Sequence, residues 1–542
     1  MSSANPHIAM PPVDKNRITV QNILIALFLV FVVSKILAYR RGLKVVGCIP
    51  GVRAAFHPFT LPGAFIPSTW WNPGFAFAWK RRHTVYERYG NDTISFISLL
   101  VGPSAIHTAN IDVVRQVTAS GGTKGFHKPP EASTGIKQWG MNLVAAEGEV
   151  WRKHRRIMGP AFNNKLYEAV WITTLRTYRD MVADEGWAGR DQISVPVVQA
   201  LTFKVALLVI SKCGFGFSFS WSEPVRTADG RMSLQEAFRV VSETILITSF
   251  VPKWVRKLPF KRFRELNEAN KEIMEFMQKQ VADRKADIRS QGCTDSAQDT
   301  NAFSMLVEAS ENEKGKFKLD DSELIGNVFI MLLAGHETTA HTLAGTIGFL
   351  AMNDDLQEEI YQQIVEVVGH ERDPVHGDYG KLDKVLSAFL EALRLFPSGY
   401  LLIRTAFEDT VLQIPNPRGE EGDKTIPVPK GTLVVVDMIG LQYNPRYFDN
   451  PKEYRPSRWY GMPIESEAFT AFSIGPRTCI GRKFATTEAV CFLTMLLRDY
   501  RIVPTLRGKE TTTQWKERVL DAKLGITLGV KDVPVKFVRR RS

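Results

Sequence analysis

Apolar residues recur along this chain in three rhythms, and each predicts a different element. Ile18 to Ala38 reads ITVQNILIALFLVFVVSKILA, with an unbroken apolar core from Ile23 to Val33. The run has the ~20 residues that a membrane-spanning helix needs. Asp92 to His107, DTISFISLLVGPSAIH, holds two β-rich runs broken by Gly102-Pro103, which predicts a hairpin. Most of the chain beyond the hairpin has helical period. Lys318 to Asp354 reads as one long helix, started by a capping box of Asp320 and Glu323 and ended at Asn353-Asp354. Its middle is apolar on nearly every side, so it is expected to be buried.

Other stretches interrupt the helical pattern. Cys48 to Gly63 is rich in Pro and Gly and reads as extended. Asp283 to Asn301, DRKADIRSQGCTDSAQDTN, reads as a solvated loop. Beyond Phe396 come short strands and Pro-rich turns, and helical pattern resumes near Gly481. No internal repeat is visible. The fold class expected is mainly α with minor β.

Charge orients the apolar run. Lys35, Arg40, Arg41 and Lys44 follow it, against Lys15 and Arg17 before it, so the bulk of the chain is expected on the cytoplasmic side. No A-x-A-like site follows the core, which favours a retained anchor over a cleaved signal. Across 542 residues the hydrophobic content is 44% and the charged content 23%, as for a packed globular protein. A net charge of +12 suggests acidic partners. No basic run is interleaved with aromatics, so membrane lipid and acidic protein are preferred to nucleic acid. The five cysteines, Cys48, Cys213, Cys293, Cys479 and Cys491, contain no C-x-x-C pair, which supports neither a disulfide framework nor a Cys-rich zinc site.

Inside the long helix, LLAGHETTAHTLAG nearly spells the H-E-x-x-H of a zinc protease. Here His341 follows His336 by five residues, so the two rings stand about 140° apart and cannot share an ion on a regular helix. What remains is Gly335, Glu337, Thr338 and Thr339 among Leu, Met and Ala. A buried carboxylate is costly unless paired or hydrated. One reading is a local kink and a water-filled groove, with Glu337 and Thr338 delivering protons to something bound there. The other is a threonine bonded back to its own helix and Glu337 in a salt bridge.

Phe472 to Ala485, FSIGPRTCIGRKFA, sets Cys479 at a loop-to-helix junction between Gly475 and Gly481. Glycines there let the backbone approach a large flat object, and helix N-terminal amides aimed at the sulfur would stabilise a thiolate. Phe472, Gly475, Arg477, Cys479 and Gly481 match F-x-x-G-x-R-x-C-x-G, and the chain here resembles the cytochrome P450 family. Further motifs occur in the family order: Ala334-Gly335-His336-Glu337-Thr338 for A/G-G-x-D/E-T, Glu391 and Arg394 for E-x-x-R, Pro456, Arg458 and Trp459 for P-x-R-F/W, and Trp151 and Arg155 for W-x-x-x-R.

The resemblance implies a P450 fold with a long central helix over haem b, after a transmembrane helix. It divides the chain into a tail (1–17), an anchor (18–38), a basic Pro/Gly-rich linker (39–63) and a catalytic domain (64–542). It implies that Cys479 is the axial ligand of haem iron and that Phe472, Gly475 and Gly481 shape its loop. Arg477, Arg155 with Trp151, and Arg404 would meet the propionates. Glu391, Arg394 and Arg458 would form a structural network. Glu337 and Thr338 would deliver protons for O2 activation. The distal pocket would be lined by parts of Gly121 to Ala146, by Met331 to Thr339, and by Ser398 to Ile403. The chain departs from the family pattern at Ser398, where many relatives have Pro, and at Gln442, where many have His.

The resemblance is to microsomal fungal members, implying an endoplasmic reticulum membrane enzyme with a cytosolic catalytic domain. Electrons would come from NADPH through a cytochrome P450 reductase, with cytochrome b5 as a further partner. Arg152, Lys153, Arg156, Arg482 and Lys483 could form the basic face that meets an acidic reductase domain. A mostly apolar pocket points to a lipophilic substrate: a terpenoid of secondary metabolism, or alternatively a sterol or fatty acid. A haem-thiolate isomerase or dehydratase and a non-catalytic haem sensor are the readings of other class. The Glu337-Thr338 pair argues against the former and the lack of a signalling domain against the latter.

Overall fold

The computed structural model describes residues 15–119, 125–251, 254–291, 301–313, 317–417, 419–462 and 469–540. Helix α1 (Lys15–Val45) contains the apolar run and exposes its large apolar residues from Val20 to Val33. It is the one helix among the described residues long and apolar enough to cross a membrane by length and composition. Its C-terminal half rests on the rest of the chain. Lys35 Nζ donates to the Leu100 carbonyl at 2.7 Å, and a Cβ on Gly42 would come 2.5 Å from Ser104 Oγ. Residues 39–63 continue this packing, since they contain the end of α1 and a strand of the main sheet.

That sheet has six strands: β1 (Gly51–Phe56), β2 (Thr93–Val101), β3 (Ala105–Thr108), β4 (Phe126–His127), β5 (Leu401–Ala406) and β6 (Leu433–Asp437), in the order β1-β2-β3-β6-β5-β4. The predicted hairpin is β2–β3, antiparallel with Thr93 opposite Thr108. Gly102 turns it at φ +125°, and a Cβ there would strike His57 Cβ at 2.4 Å. A small hairpin near the C-terminus, β7 (Ala522–Leu524) and β8 (Leu528–Val530), stands apart from this sheet.

Helices make up the rest. Among those that position the site are α2 (Gly148–Met158), α3 (Gln199–Phe215), the central α4 (Asp321–Leu350) and α5 (Asp383–Leu395). The capping box of α4 forms as expected: Glu323 N donates to Asp320 Oδ1 at 2.8 Å and Asp320 N to Glu323 Oε2 at 2.9 Å. At 1.5 Å per residue, the 30 residues of α4 span ~45 Å, buried almost throughout. The helix is continuous through Gly335, where the sequence suggested a kink. The glycine answers to packing, because a Cβ would lie 2.9 Å from Ile210 Cγ1 on α3.

The polar stretch 283–301 also corrects the sequence reading. The helix Lys261–Gln291 takes its first nine positions, while 292–300 lie outside the described residues. Polarity there marks a solvent-facing helix held by cross-pairs, such as Lys285 with Glu311 at 3.3 Å.

The E-x-x-R pair is the most enclosed charge pair among the described residues. Arg394 and Glu391 on α5 are both fully buried and bidentate, with Nε–Oε2 at 2.9 Å and Nη2–Oε1 at 2.8 Å. The remaining donors of Arg394 go to the carbonyls of Gln442, Pro451 and Glu453. Glu391 also accepts from Arg458 Nε at 3.2 Å, Trp459 Nε1 at 2.8 Å and Arg455 N at 3.0 Å. A second buried acid, Asp437 at the end of β6, caps the short helix α6 (Met438–Gln442) through Gly440 N and accepts from Tyr86 OH at 3.1 Å. Burial pushes its carboxyl up to about 7.

Glu391→Gln strands Arg394 as a buried unpaired charge, and denaturation is expected to show a loss of ~3–5 kcal/mol. Arg501→Gln, which breaks the exposed pair with Asp354, is expected to lose ~1 kcal/mol or less. Asp437 has the opposite sign from an ordinary ion-paired acid. Between about pH 4 and 7 the unfolded chain has already lost this proton while the fold keeps it, so stability falls as pH rises through that window. Asp437→Asn keeps the cap, and its melting temperature measured across the same window is expected to lack that fall.

Candidate active site

The thiol is presented by a tight loop at the start of helix α7 (Arg482–Asp499). Cys479 N donates to the Phe472 carbonyl at 2.9 Å and Thr478 N to the Gly475 carbonyl at 3.0 Å, which closes the loop on itself. Gly475 turns the chain at φ +77°, and a Cβ there would lie 3.3 Å from the Thr118 carbonyl. It serves the turn and does not line the cavity, whereas Phe472 and Gly481 do. Cys479 is a free thiol exposed toward that cavity and otherwise enclosed. Burial pushes its pKa up, opposed by the hydrogen-bonded Gly481 amide and by the nearby Arg155 and Arg482.

The cavity is about 560 Å³. Four cations reach it: Arg155, Arg404 and Arg477, expected from the sequence, and Lys128, which was not. Arg155 Nη1 donates to the Thr478 carbonyl at 3.4 Å. Arg404, on β5, donates to its neighbouring Ile403 carbonyl at 2.9 Å. Arg477 donates to the Ala146 carbonyl at 2.6 Å and lies 4.9 Å over the Trp151 ring. The nearby carboxylate is Glu147, 3.1 Å from Arg477 and 4.0 Å from Lys128. Burial lowers the pKa of each cation, Arg477 to about 10 and Lys128 to about 7. Enclosed positive charge with so little negative charge beside it suits a dianion. A thiol within the same cavity suits a soft metal centre. Both are what the thiolate ligand and the propionates of haem require.

The opposite chemistry comes from α4. Ala334, Gly335, Thr338 and Thr339 line the cavity, together with Ser398 and with Leu401 to Ile403. Ser133, Ile136, Leu143 and Val144 add to the wall from the 121–146 segment, of which 121–124 lie outside the described residues. Thr338 Oγ1 donates to the Ala334 carbonyl at 2.8 Å, the back-bond that the sequence left open. Glu337 does not line the cavity and is in no salt bridge among the described residues. Its Oε1 accepts from Thr527 Oγ1 at 2.6 Å, and burial raises its pKa. His336 donates to the Leu332 carbonyl at 2.7 Å, and its ring and that of His341 both stand edge-on to Phe203, at 6.1 and 4.9 Å between centroids.

Glu391, Arg394 and Arg458 stay outside the cavity lining. The expected basic face is partly spent inside the chain: Lys153 pairs with Glu323 at 2.6 Å, Arg156 with Glu313 at 3.0 Å, and Arg152 with Glu149. Lys128, Glu147 and Thr527 are the residues that sequence reasoning missed. Lys128 carried a weak signal, a lone cation in FHKPP beside apolar pocket segments. Thr527 carried none, because 190 residues separate it from its partner.

Comparison with known proteins agrees with this geometry. The cytochrome P450 family model matches residues 62–528. Cytochrome P450 monooxygenase 124 of Postia placenta is 34% identical over 515 residues, covering 94% of this chain and 97% of its own. Cyclooctat-9-en-7-ol 5-monooxygenase of Streptomyces melanosporofaciens is 27% identical over 414 residues, covering 75% and 82%. Among solved structures, the cytochrome P450DA haem domain superposes with a TM-score of 0.68 at 19% identity, covering 91% of this chain and 99% of its own. With the thiol loop, the central helix and the buried E-x-x-R network all in place, the chain belongs to the cytochrome P450 monooxygenase family.

Proposed function

We propose that this chain is a membrane-anchored haem-thiolate enzyme that inserts one oxygen atom of O2 into a lipophilic substrate, a terpenoid of secondary metabolism. Its electrons come from NADPH through a cytochrome P450 reductase at the endoplasmic reticulum membrane, with cytochrome b5 as a further donor. The observation that carries this reading is the shared cavity. It joins the Cys479 thiol, four cations and the Ala334–Thr338 face of α4, with walls that are otherwise mostly apolar.

Haem b bound there would supply the iron chemistry of O2 activation. Cys479 would hold the iron. Arg477, Arg155 and Arg404 would hold the propionates by charge-assisted hydrogen bonds, and Lys128 would join them. Trp151 backs Arg477 through its ring face. Thr338 places a hydroxyl at the cavity wall, and Glu337 is the adjacent acid from which a proton can be drawn. Leu143, Met331 and Leu402 keep the pocket dry and offer no clamp for a phosphate or carboxylate. A hydrocarbon skeleton with few polar groups fits such walls. One relative is named as a monooxygenase of cyclooctat-9-en-7-ol, which accords with that class.

The test supplies membranes holding this chain and a reductase with NADPH, isotopically labelled O2 and a mixed pool of terpenoids, sterols and fatty acids. A terpenoid product heavier by one labelled oxygen is expected, and Cys479→Ala is expected to bind no haem through a thiolate and to yield none. Conversion without NADPH would instead identify an isomerase, and a labelled sterol or fatty acid would replace the substrate class.

A further inference from the structure

The acid on which the proposed chemistry draws is turned away from the cavity, and one side chain holds it there. Thr527 lies in the turn of the β7–β8 hairpin and donates to Glu337 Oε1 at 2.6 Å, at the short end for a hydroxyl donor. The second oxygen, Oε2, is buried with no hydrogen-bond partner among the described residues. A buried unsatisfied oxygen is costly, so this placement of the carboxyl depends on the Thr527 bond. Without that bond, rotation toward the polar side of the cavity would relieve the orphan atom.

The hairpin is itself tied to the cavity wall. Leu528 N donates to the Ser398 carbonyl at 3.0 Å, and Tyr400 OH donates to the Gly525 carbonyl at 3.0 Å. The Ser398 hydroxyl reaches back to the Thr338 carbonyl at 3.4 Å, a long bond but one that closes a ring. The ring runs from Glu337 through Thr527, Leu528 and Ser398 to Thr338, so it returns to the helix one residue from where it began. Ser398 and Thr338 both line the cavity, while Thr527 and Leu528 do not. Pressure on the Ser398 wall is therefore passed to the hairpin that holds the acid. Ser398 is also a position at which the chain departs from the family pattern, and a proline there would have no hydroxyl to reach Thr338.

We propose that Thr527 is a positioning residue that latches Glu337 away from the cavity, and that a substrate pressing on the Ser398 wall releases the latch. This rests on Glu337 being the proton donor of the reaction. The latch keeps that donor withdrawn while the pocket is empty, so NADPH is not consumed without substrate.

The experiment uses the full-length, haem-loaded protein in vesicles with reductase and no added substrate. NADPH oxidation and hydrogen peroxide release are measured for the wild type, Thr527→Val, Thr527→Ser, Glu337→Gln and the Thr527→Val/Glu337→Gln pair. Thr527→Val is expected to raise substrate-free NADPH oxidation severalfold. Thr527→Ser is expected to restore the low rate, and Glu337→Gln to abolish the rise in the double variant. Infrared spectra of the same resting samples give a readout independent of turnover. The carboxyl band that vanishes in Glu337→Gln should shift in Thr527→Val and return to its wild-type position in Thr527→Ser. An unmoved band in Thr527→Val, or a rise that survives in the double variant, overturns the latch. A shifted band with NADPH oxidation indifferent to Glu337→Gln in both backgrounds would instead overturn Glu337 as the proton donor.

Discussion

The buried ion pair of Glu391 and Arg394 is the constraint on which the active-site loop depends. An enclosed charge must be satisfied, and here the pair bonds to itself while its remaining donors and acceptors find partners on distant stretches of chain. One of those partners is the carbonyl of Gln442, whose side chain donates to Thr470 Oγ1 at 2.7 Å. The Thr470 carbonyl accepts from Ser473 N, and the next bond inward is that of Cys479 N to Phe472. A continuous run of hydrogen bonds thus leads from the pair to the thiol. The loop that carries the sulfur is tied to the element that satisfies the buried charge.

The cavity meets that loop with two contrasting demands. Around the thiol, burial depresses the pKa of four cations, a cost that a dianionic ligand would offset on binding. Along α4 the walls are apolar, and polar groups are bound back into the protein. Thr338, Thr342 and Thr346 each donate to a carbonyl four residues earlier, at 2.8 Å, so the row of hydroxyls is satisfied within the helix. Glu337 differs because its carboxyl leans on another element altogether. The same burial that lowers the pKa of the cations raises that of this acid.

Local rules make several elements legible in the sequence alone. The capping box of Asp320 and Glu323 is written in neighbouring residues, and so is the Gly102-Pro103 turn. The five-residue spacing of His336 and His341 is enough to keep them from sharing an ion on a regular helix. Reading fails where composition stands in for environment. The stretch from Asp283 looks like loop because it is polar, yet a helix can be polar when charges across its surface pair, as Lys285 does with Glu311. At Gly335 the sequence does not record that the missing side chain makes room for Ile210.

By itself the sequence determined the family and pointed to the thiol, to arginines for the propionates and to the E-x-x-R pair, because each motif is carried by residues a few positions apart. Only the tertiary structure decided which side chains join them across the fold. Lys128 enters the cavity from a distant segment, and Glu147 sits between two cations. Thr527 turns Glu337 aside from a hairpin 190 residues later. Such pairings arise from packing between elements far apart in the chain, and no local periodicity or spacing records them.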